Sequence, residues 1–265
     1  MRVFVEGVSV IGPGLDGWEN SRAILTGRES YVEDELPQLT GAKLPPAERR
    51  RATSVTKLAL ESAEQAIPAG RDPKQMATVF ASSGGEVEII HRIFSELATP
   101  ERQISPTQFH NSVHNAASGY WSIATASQCA STSLSCFDDS FSAGLLEAAV
   151  QTVAEAIPVL LVAYDFPPLP PIAESRPLRA PFGTALLLNA EKSVHSLMEL
   201  RIAFDAGQPQ ALSRMSDPSL EALRAGNPAA RGLPLLAALA TGKPASIVLS
   251  CSLTGSLHVQ ALPCA

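Results

Sequence analysis

The sequence is short of charge, aromatic rings and cysteine, and each shortage excludes something. Charged residues fill 17% of the 265 positions and aromatic ones 5%. The charge is below the level of an ordinary soluble domain, so much of this surface is covered. Apolar residues make up 45%, enough to bury a core, which excludes intrinsic disorder. Positive charge is in deficit, with a net charge of −6, and this argues against binding nucleic-acid phosphates. No apolar run approaches the roughly 18 residues that cross a bilayer, so no membrane insertion is expected. The opening Met1–Glu6 lacks a secretory apolar stretch, and a cytoplasmic location follows. Four cysteines, Cys129, Cys136, Cys251 and Cys264, do not make a disulfide framework in a chain of this length. The chain reads as one α/β domain over residues 1–265.

The most telling shortage is local. Between Arg102 and Arg176 there is no lysine or arginine, while six acidic residues occur: Asp138, Asp139, Glu147, Glu155, Asp165 and Glu174. A stretch so poor in charge is covered by other protein. It forms the domain's own core, a subunit interface whose centre is likewise depleted of charge, or both.

The pattern along the chain alternates strands and helices. Val3–Val10 is an apolar, β-branched strand closed by Gly12-Pro13-Gly14. Ser54–Ile67 is an amphipathic helix stopped by Pro68 and Gly70. Met76–Ala81 is a short strand, followed by Ser82-Ser83-Gly84-Gly85 and a helix over Glu86–Leu97. That loop lacks the lysine of a P-loop and the spacing of a dinucleotide site, so it reads as a tight turn. Thr132–Phe137 is a strand, and Asp139–Ala156 a helix N-capped by Asp138 or Asp139. The polar stripe of that helix is thin (Glu147, Gln151, Glu155), which predicts a helix enclosed on most sides. Val159–Ala163 is a strand buried on both faces. A proline-rich connector, 166–181, reads as a rigid surface loop. Strands over Thr184–Leu188 and Met198–Phe204, a broken helical region over Ser216–Thr241, and strands over Ser246–Leu249 and Ser256–Leu262 complete the pattern.

Few residues suggest chemistry. His110 and His114 are spaced i, i+4, as in helical metal pairs, but no third ligand is near in sequence, so no metal is expected. A pocket or interface wall suits them better. Cys136 stands where a strand gives way to a helix, a setting that suits a nucleophile, although free cysteines are commonly just buried. No G-x-S-x-G elbow is present.

The segment Gly7-Val8-Ser9-Val10-Ile11-Gly12-Pro13-Gly14-Leu15-Asp16-Gly17-Trp18-Glu19, with Leu25-Thr26-Gly27-Arg28, resembles the first strand and loop of the β-ketoacyl synthases of the thiolase-like superfamily. Ile104-Ser105-Pro106 and Asn115-Ala116-Ala117-Ser118-Gly119 resemble the segment before their active-site strand, and Val159–Ala163 the strand after their nucleophile helix. The likeness is strongest over residues 1–165. It implies a thiolase-like layered fold, a mixed sheet around a buried helix, truncated relative to full ketosynthases.

Gap-free alignment from Asn115, and counting back from Val159, both put the nucleophile position at Asp138, where active members carry cysteine. An aspartate cannot hold an acyl chain as a thioester. The family's two histidine motifs are absent as well, His258 being the nearest approach. The chain therefore resembles the short chain-length-factor subunits of aryl polyene and polyketide pigment systems. This implies a β-ketoacyl synthase partner in a heterodimer, acyl carrier protein as a further partner, and no cofactor. Acyl-channel and interface positions carried over from the resemblance are Ser83, Gly84, Glu86, Val87, Ile90, Phe94, His110, His114, Ser133, Ser135 and Phe137. Glu86, Val87, Ile90 and Phe94 are expected on one helix face. Two alternatives stand beside this reading: an active acyltransferase using Cys136, and a carrier-protein-binding scaffold using Arg49-Arg50-Arg51.

Overall fold

The structure is a computed structural model that describes residues 1–207, 210–252 and 255–264. In chain order the elements are β1 (Arg2–Gly12), β2 (Leu15–Asp16), α1 (Trp18–Leu25), α2 (Pro46–Arg51), α3 (Ser54–Gln65) and β3 (Ala77–Ala81). Then come α4 (Val87–Leu97), α5 (Pro106–Asn111), α6 (Ala116–Thr125), β4 (Ser131–Leu134), α7 (Ser140–Glu155), β5 (Val159–Asp165) and α8 (Ile172–Ser175). The remainder are β6 (Phe182–Asn189), β7 (Met198–Asp205), α9 (Pro218–Gly226), α10 (Leu233–Thr241), β8 (Ala245–Cys251) and β9 (Gly255–Pro263).

The strands form a single mixed sheet in the order β4-β3-β5-β6-β1-β7-β9-β8, with β2 paired to β1. β3 runs parallel to β4 and β5, and the other pairs are antiparallel. The period-2 alternation of β5 divides its side chains between two cores. Val159, Leu161 and Ala163 face the core that contains α7. Leu160, Val162 and Tyr164 face the core built with α3 and α6.

α7 lies against β1, β3, β5 and β6 and also meets β7 and β8, so the sheet curls around it. Phe141, Leu145, Ala148 and Ala149 are fully buried on its inner face. Gly144 permits the approach, because a Cβ there would stand 2.8 Å from both Ala81 Cβ and Leu161 Cδ1. The outer face is different. Val150 and Val153 are 43% and 45% exposed, so within this chain α7 is not enclosed on most sides as its composition predicts. Composition reports that a face is apolar, not which molecule covers it.

Two further expectations are corrected. The strand expected over Thr132–Phe137 ends at Leu134, and the chain turns at Cys136–Asp139 with Phe137 at φ 53°. Asp139 is the N-cap residue of α7, as one of the two expected, but its side chain makes no capping hydrogen bond. Instead Cys136 N donates to Ser140 Oγ (3.1 Å), and that hydroxyl donates to Phe137 O (2.8 Å). The breaks expected in Ser216–Thr241 fall where Asn227, Pro228 and Gly232 place them.

Candidate functional site

The turn before α7 brings together residues far apart in sequence. Asp138 Oδ1 accepts from Arg176 Nη1 at 2.6 Å, and Oδ2 accepts from Arg231 Nη2 at 2.9 Å. The Arg176 guanidinium also lies over the Phe137 ring, 3.7 Å from its centroid. Phe137 is 64% exposed at a positive φ, a conformation that costs a bulky residue about 1–3 kcal/mol unless its surroundings enforce it. Two ion pairs, a cation–π contact and the Ser140 bridge enforce it here. Asp138 has no sulfur with which to form a thioester, and its carboxylate is held by two cations. Cys136 is exposed two residues earlier, and among the described residues no histidine bonds its sulfur.

The neighbouring loop, Ser82-Ser83-Gly84-Gly85, joins β3 to α4. Asp165, at the end of β5, accepts on Oδ1 from Ser82 Oγ (3.0 Å), Ser83 N (2.8 Å) and Ser83 Oγ (2.8 Å). Burial pushes its pKa up to about 6, partly offset by those hydrogen bonds. His114 Nε2 lies 3.0 Å from Ser82 O, and Ser135 Oγ donates to Ser83 O at 3.1 Å. Gly85, at φ 57°, leaves room for the His114 ring, which a Cβ would meet at 3.1 Å.

Glu86 departs from its expected place. It is buried, and Oε1 accepts from Thr53 Oγ1 (2.9 Å) and Thr56 Oγ1 (2.6 Å). Burial raises its pKa, against those two hydrogen bonds. Ile89 and Ile93 are buried on the same side, whereas Val87 and Ile90 are half-buried and Phe94 is exposed. Glu86 leaves the face of Val87, Ile90 and Phe94 because it is the N-cap residue of α4, with non-helical φ and ψ, and its side chain is held inward by Thr53 and Thr56.

The histidine pair is also split. α5 ends at Asn111, so His110 and His114 are not on one helix, and the i, i+4 metal geometry is lost. His110 borders a depression with Asn111, Val113 and Tyr120. Ser133 Oγ donates to Ser118 Oγ at 3.1 Å. His258 lies on β9, 3.0 Å from Ser256 Oγ and 4.0 Å from Asp205. The basic triplet is mostly engaged. Arg49 Nη2 donates to Ala42 O and Leu44 O, and Arg51 pairs with Glu48, which leaves Arg50 as the residue of the three without such a tether.

The cation-free stretch does not all turn inward. Phe109 is 67% exposed, and Val113, Ile123, Phe137, Val150 and Val153 are exposed as well. Isolated exposed apolar residues are ordinary, but several within one cation-free stretch indicate an interaction surface. β4 is an edge strand, paired on one side with β3. Among the described residues no helix is long and apolar enough to cross a membrane.

Sequence reasoning missed Arg176, Arg231 and the buried role of Asp165. The arginines carried no signal, but a carboxylate closing a strand with two buried faces is one.

A mixed sheet packed around α7 is the thiolase-like layered fold of the ketosynthase type. The chain belongs to the beta-ketoacyl synthase family: the family's sequence model, described as beta-ketoacyl synthase, N-terminal domain, matches residues 26–248. The match thus continues well beyond the first 165 residues. No curated protein matches by sequence. Among solved structures, the chain is similar to the ketosynthase ApeO in complex with its chain length factor ApeC from Xenorhabdus doucetiae. The identity is 25%, with TM-score 0.73 over 98% of this chain and 99% of that one. The fold also matches the ishigamide ketosynthase/chain length factor, at 14% identity and TM-score 0.74 over 100% and 99% of the two chains. A third match is AntDE:AntF, a type II acyl-carrier protein in complex with its ketosynthase, at 13% identity and TM-score 0.75 over 99% of each chain.

Proposed function

We propose that the chain is a non-catalytic chain-length-factor subunit that pairs with an active β-ketoacyl synthase and shapes the channel in which an acyl chain grows. The observation that carries this reading is Asp138, bridged by Arg176 and Arg231 at the nucleophile position. The fold keeps the turn and helix that present a nucleophile, but fills the position with an ion-paired carboxylate. Beside it lie an open strand edge and exposed apolar side chains from a stretch of sequence that contains no lysine or arginine. Such a face suits a heterodimer partner, with β4 at the junction. The likeness to complexes of ketosynthases with chain length factors supports the same role. The setting is polyketide elongation of the aryl polyene kind, in the cytoplasm, with acyl carrier protein delivering the chain. Ser83, Gly84, Val87, Ile90 and Phe94 then border the shared channel. His110, His114, Ser133, Ser135 and Phe137 lie at or beside the junction.

Co-expression with a synthase encoded beside it, followed by gel filtration, tests the pairing. A 1:1 complex is expected, and clean monomers of each at micromolar concentration would overturn it. Val87→Trp tests the channel. The added bulk shortens the product while the heterodimer stays intact, because overpacking a formed cavity costs about 1–3 kcal/mol. Mass spectrometry of the products reads this. An unchanged length distribution from an intact complex puts the channel floor elsewhere.

A further inference from the structure

Asp165 is 2% exposed and ends a strand that is buried along its whole length. None of the influences on its ionisation comes from a cation. Its chain neighbour Tyr164 is buried as well, and burial, then the Glu86 and Asp165 carboxyls, push the Tyr164 pKa up. An isolated buried carboxyl is costly, and an apolar side chain would serve the core better. Its bonding is also one-sided. Oδ1 takes three donors, all from Ser82 and Ser83, while Oδ2 is buried without a partner. The carboxyl's hydrogen bonds thus run to consecutive residues of one loop, with the Gly84 backbone N–H also favouring its charged form.

The loop's other ties reach Ser82 and Gly85 more than Ser83, among them the 3.0 Å contact of His114 Nε2 with Ser82 O. Ser82 N donates to Leu134 O at 3.2 Å, and Gly85 N donates to Ser82 Oγ at 2.9 Å. Ser83 supplies two of the three donors to Asp165, and its carbonyl accepts from Ser135 on the far side of β4. The position of Ser83 between β5 and the turn before α7 therefore depends on Asp165.

We propose that Asp165 is the positioning residue for the Ser82–Gly85 loop, and that by holding Ser83 it fixes one wall of the acyl channel shared with the synthase. The link to the channel rests on the chain-length-factor role, whereas the anchoring does not. A chain that grows two carbons at a time stops where the next unit no longer fits. A small displacement of the wall therefore changes the limit without changing any side chain that touches the product.

Three variants separate the parts: Asp165→Ala removes the acceptor, Asp165→Asn keeps an acceptor oxygen in place, and Ser83→Ala removes one donor from the loop side. Hydrogen exchange of the isolated chain, read by mass spectrometry on peptides covering residues 82–86, tests the anchoring. Exchange is expected to quicken about tenfold or more in Asp165→Ala, since a hydrogen bond to a charged group is lost, and to stay near wild type in Asp165→Asn. Product lengths from purified heterodimers test the channel. The distribution is expected to shift for Asp165→Ala and Ser83→Ala and to hold for Asp165→Asn. Unchanged exchange in Asp165→Ala overturns the anchoring. Faster exchange with unchanged products from assembled heterodimers overturns the channel link. If the wild-type chain forms no complex, it is the chain-length-factor role that fails, and exchange still decides the anchoring. If Asp165→Ala does not fold, Ser83→Ala carries both measurements.

Discussion

The two edges of the sheet end in opposite ways. At β8 the outer edge is closed by the chain itself: Ser213 N donates to Val248 O at 2.9 Å, and Val248 N donates to Ser213 Oγ at 3.0 Å. At β4 the outer edge is open, and the elements around it expose Phe109, Ile123, Phe137, Val150 and Val153. The same contrast runs across α7, whose inner face is packed to contact and whose outer face is bare. A chain that closes one edge from its own length and leaves the other unpaired, beside exposed apolar side chains, has a finished side and, under the proposed pairing, a side for its partner.

The strongest way to break this contrast is to charge the open side. Val150→Arg with Val153→Arg places two cations where the chain has none, and burying them unpaired opposes association. Binding to the synthase is expected to weaken about 100-fold or more, with the unfolding temperature of the isolated chain little changed. Titration calorimetry and thermal melts read the two quantities. A large drop in melting temperature would mean that this face belongs to the chain's own core.

Asp165 sharpens the comparison with a pH signature on the open side. Its folded pKa of about 6 lies above the ordinary 3.8, so the folded state binds more protons between those values. Stability from this group is therefore highest near pH 4 and falls as pH rises through about 6. Two pKa units correspond to about 3 kcal/mol. Glu86, also raised by burial, slopes the same way. Asp165→Asn is expected to flatten the decline between pH 4 and 7. Urea unfolding at several pH values checks it, and an unchanged slope would assign the decline to other groups.

The smallest effect belongs to the closed edge. Ser213→Ala leaves Val248 N without its acceptor and should cost about 1 kcal/mol, with no change in synthase binding. Weakened binding in this variant would show that β8 is not a finished edge.

What was legible in the sequence follows the range of the interactions. β1, β5 and α3 are written in local apolar patterns, and their bounds agree with the structure to within a few residues. Local spacing led to Asp138, since counts forward from Asn115 and back from Val159 converge on it. Its partners could not be found, since Arg176 and Arg231 are 38 and 93 residues away and follow no period. The bond from Asp165 to Ser82 spans 83 residues. The early end of β4 was hidden for another reason: Phe137 takes a positive φ without being glycine, so no turn residue marked it.

The short length of β4 bears on the life of the subunit before it meets a partner. An unpaired strand edge recruits copies of itself, and long apolar edges are the ones that seed aggregates. β4 has four residues, Ser131-Thr132-Ser133-Leu134, and its three hydroxyls bond Thr78, Gln151 and Ser118 of the same chain. Such an edge offers a newly made copy few rungs on which to stack. Under the proposed pairing, a copy made before its synthase offers too short an edge to stack on, so the order of translation need not decide whether the complex forms.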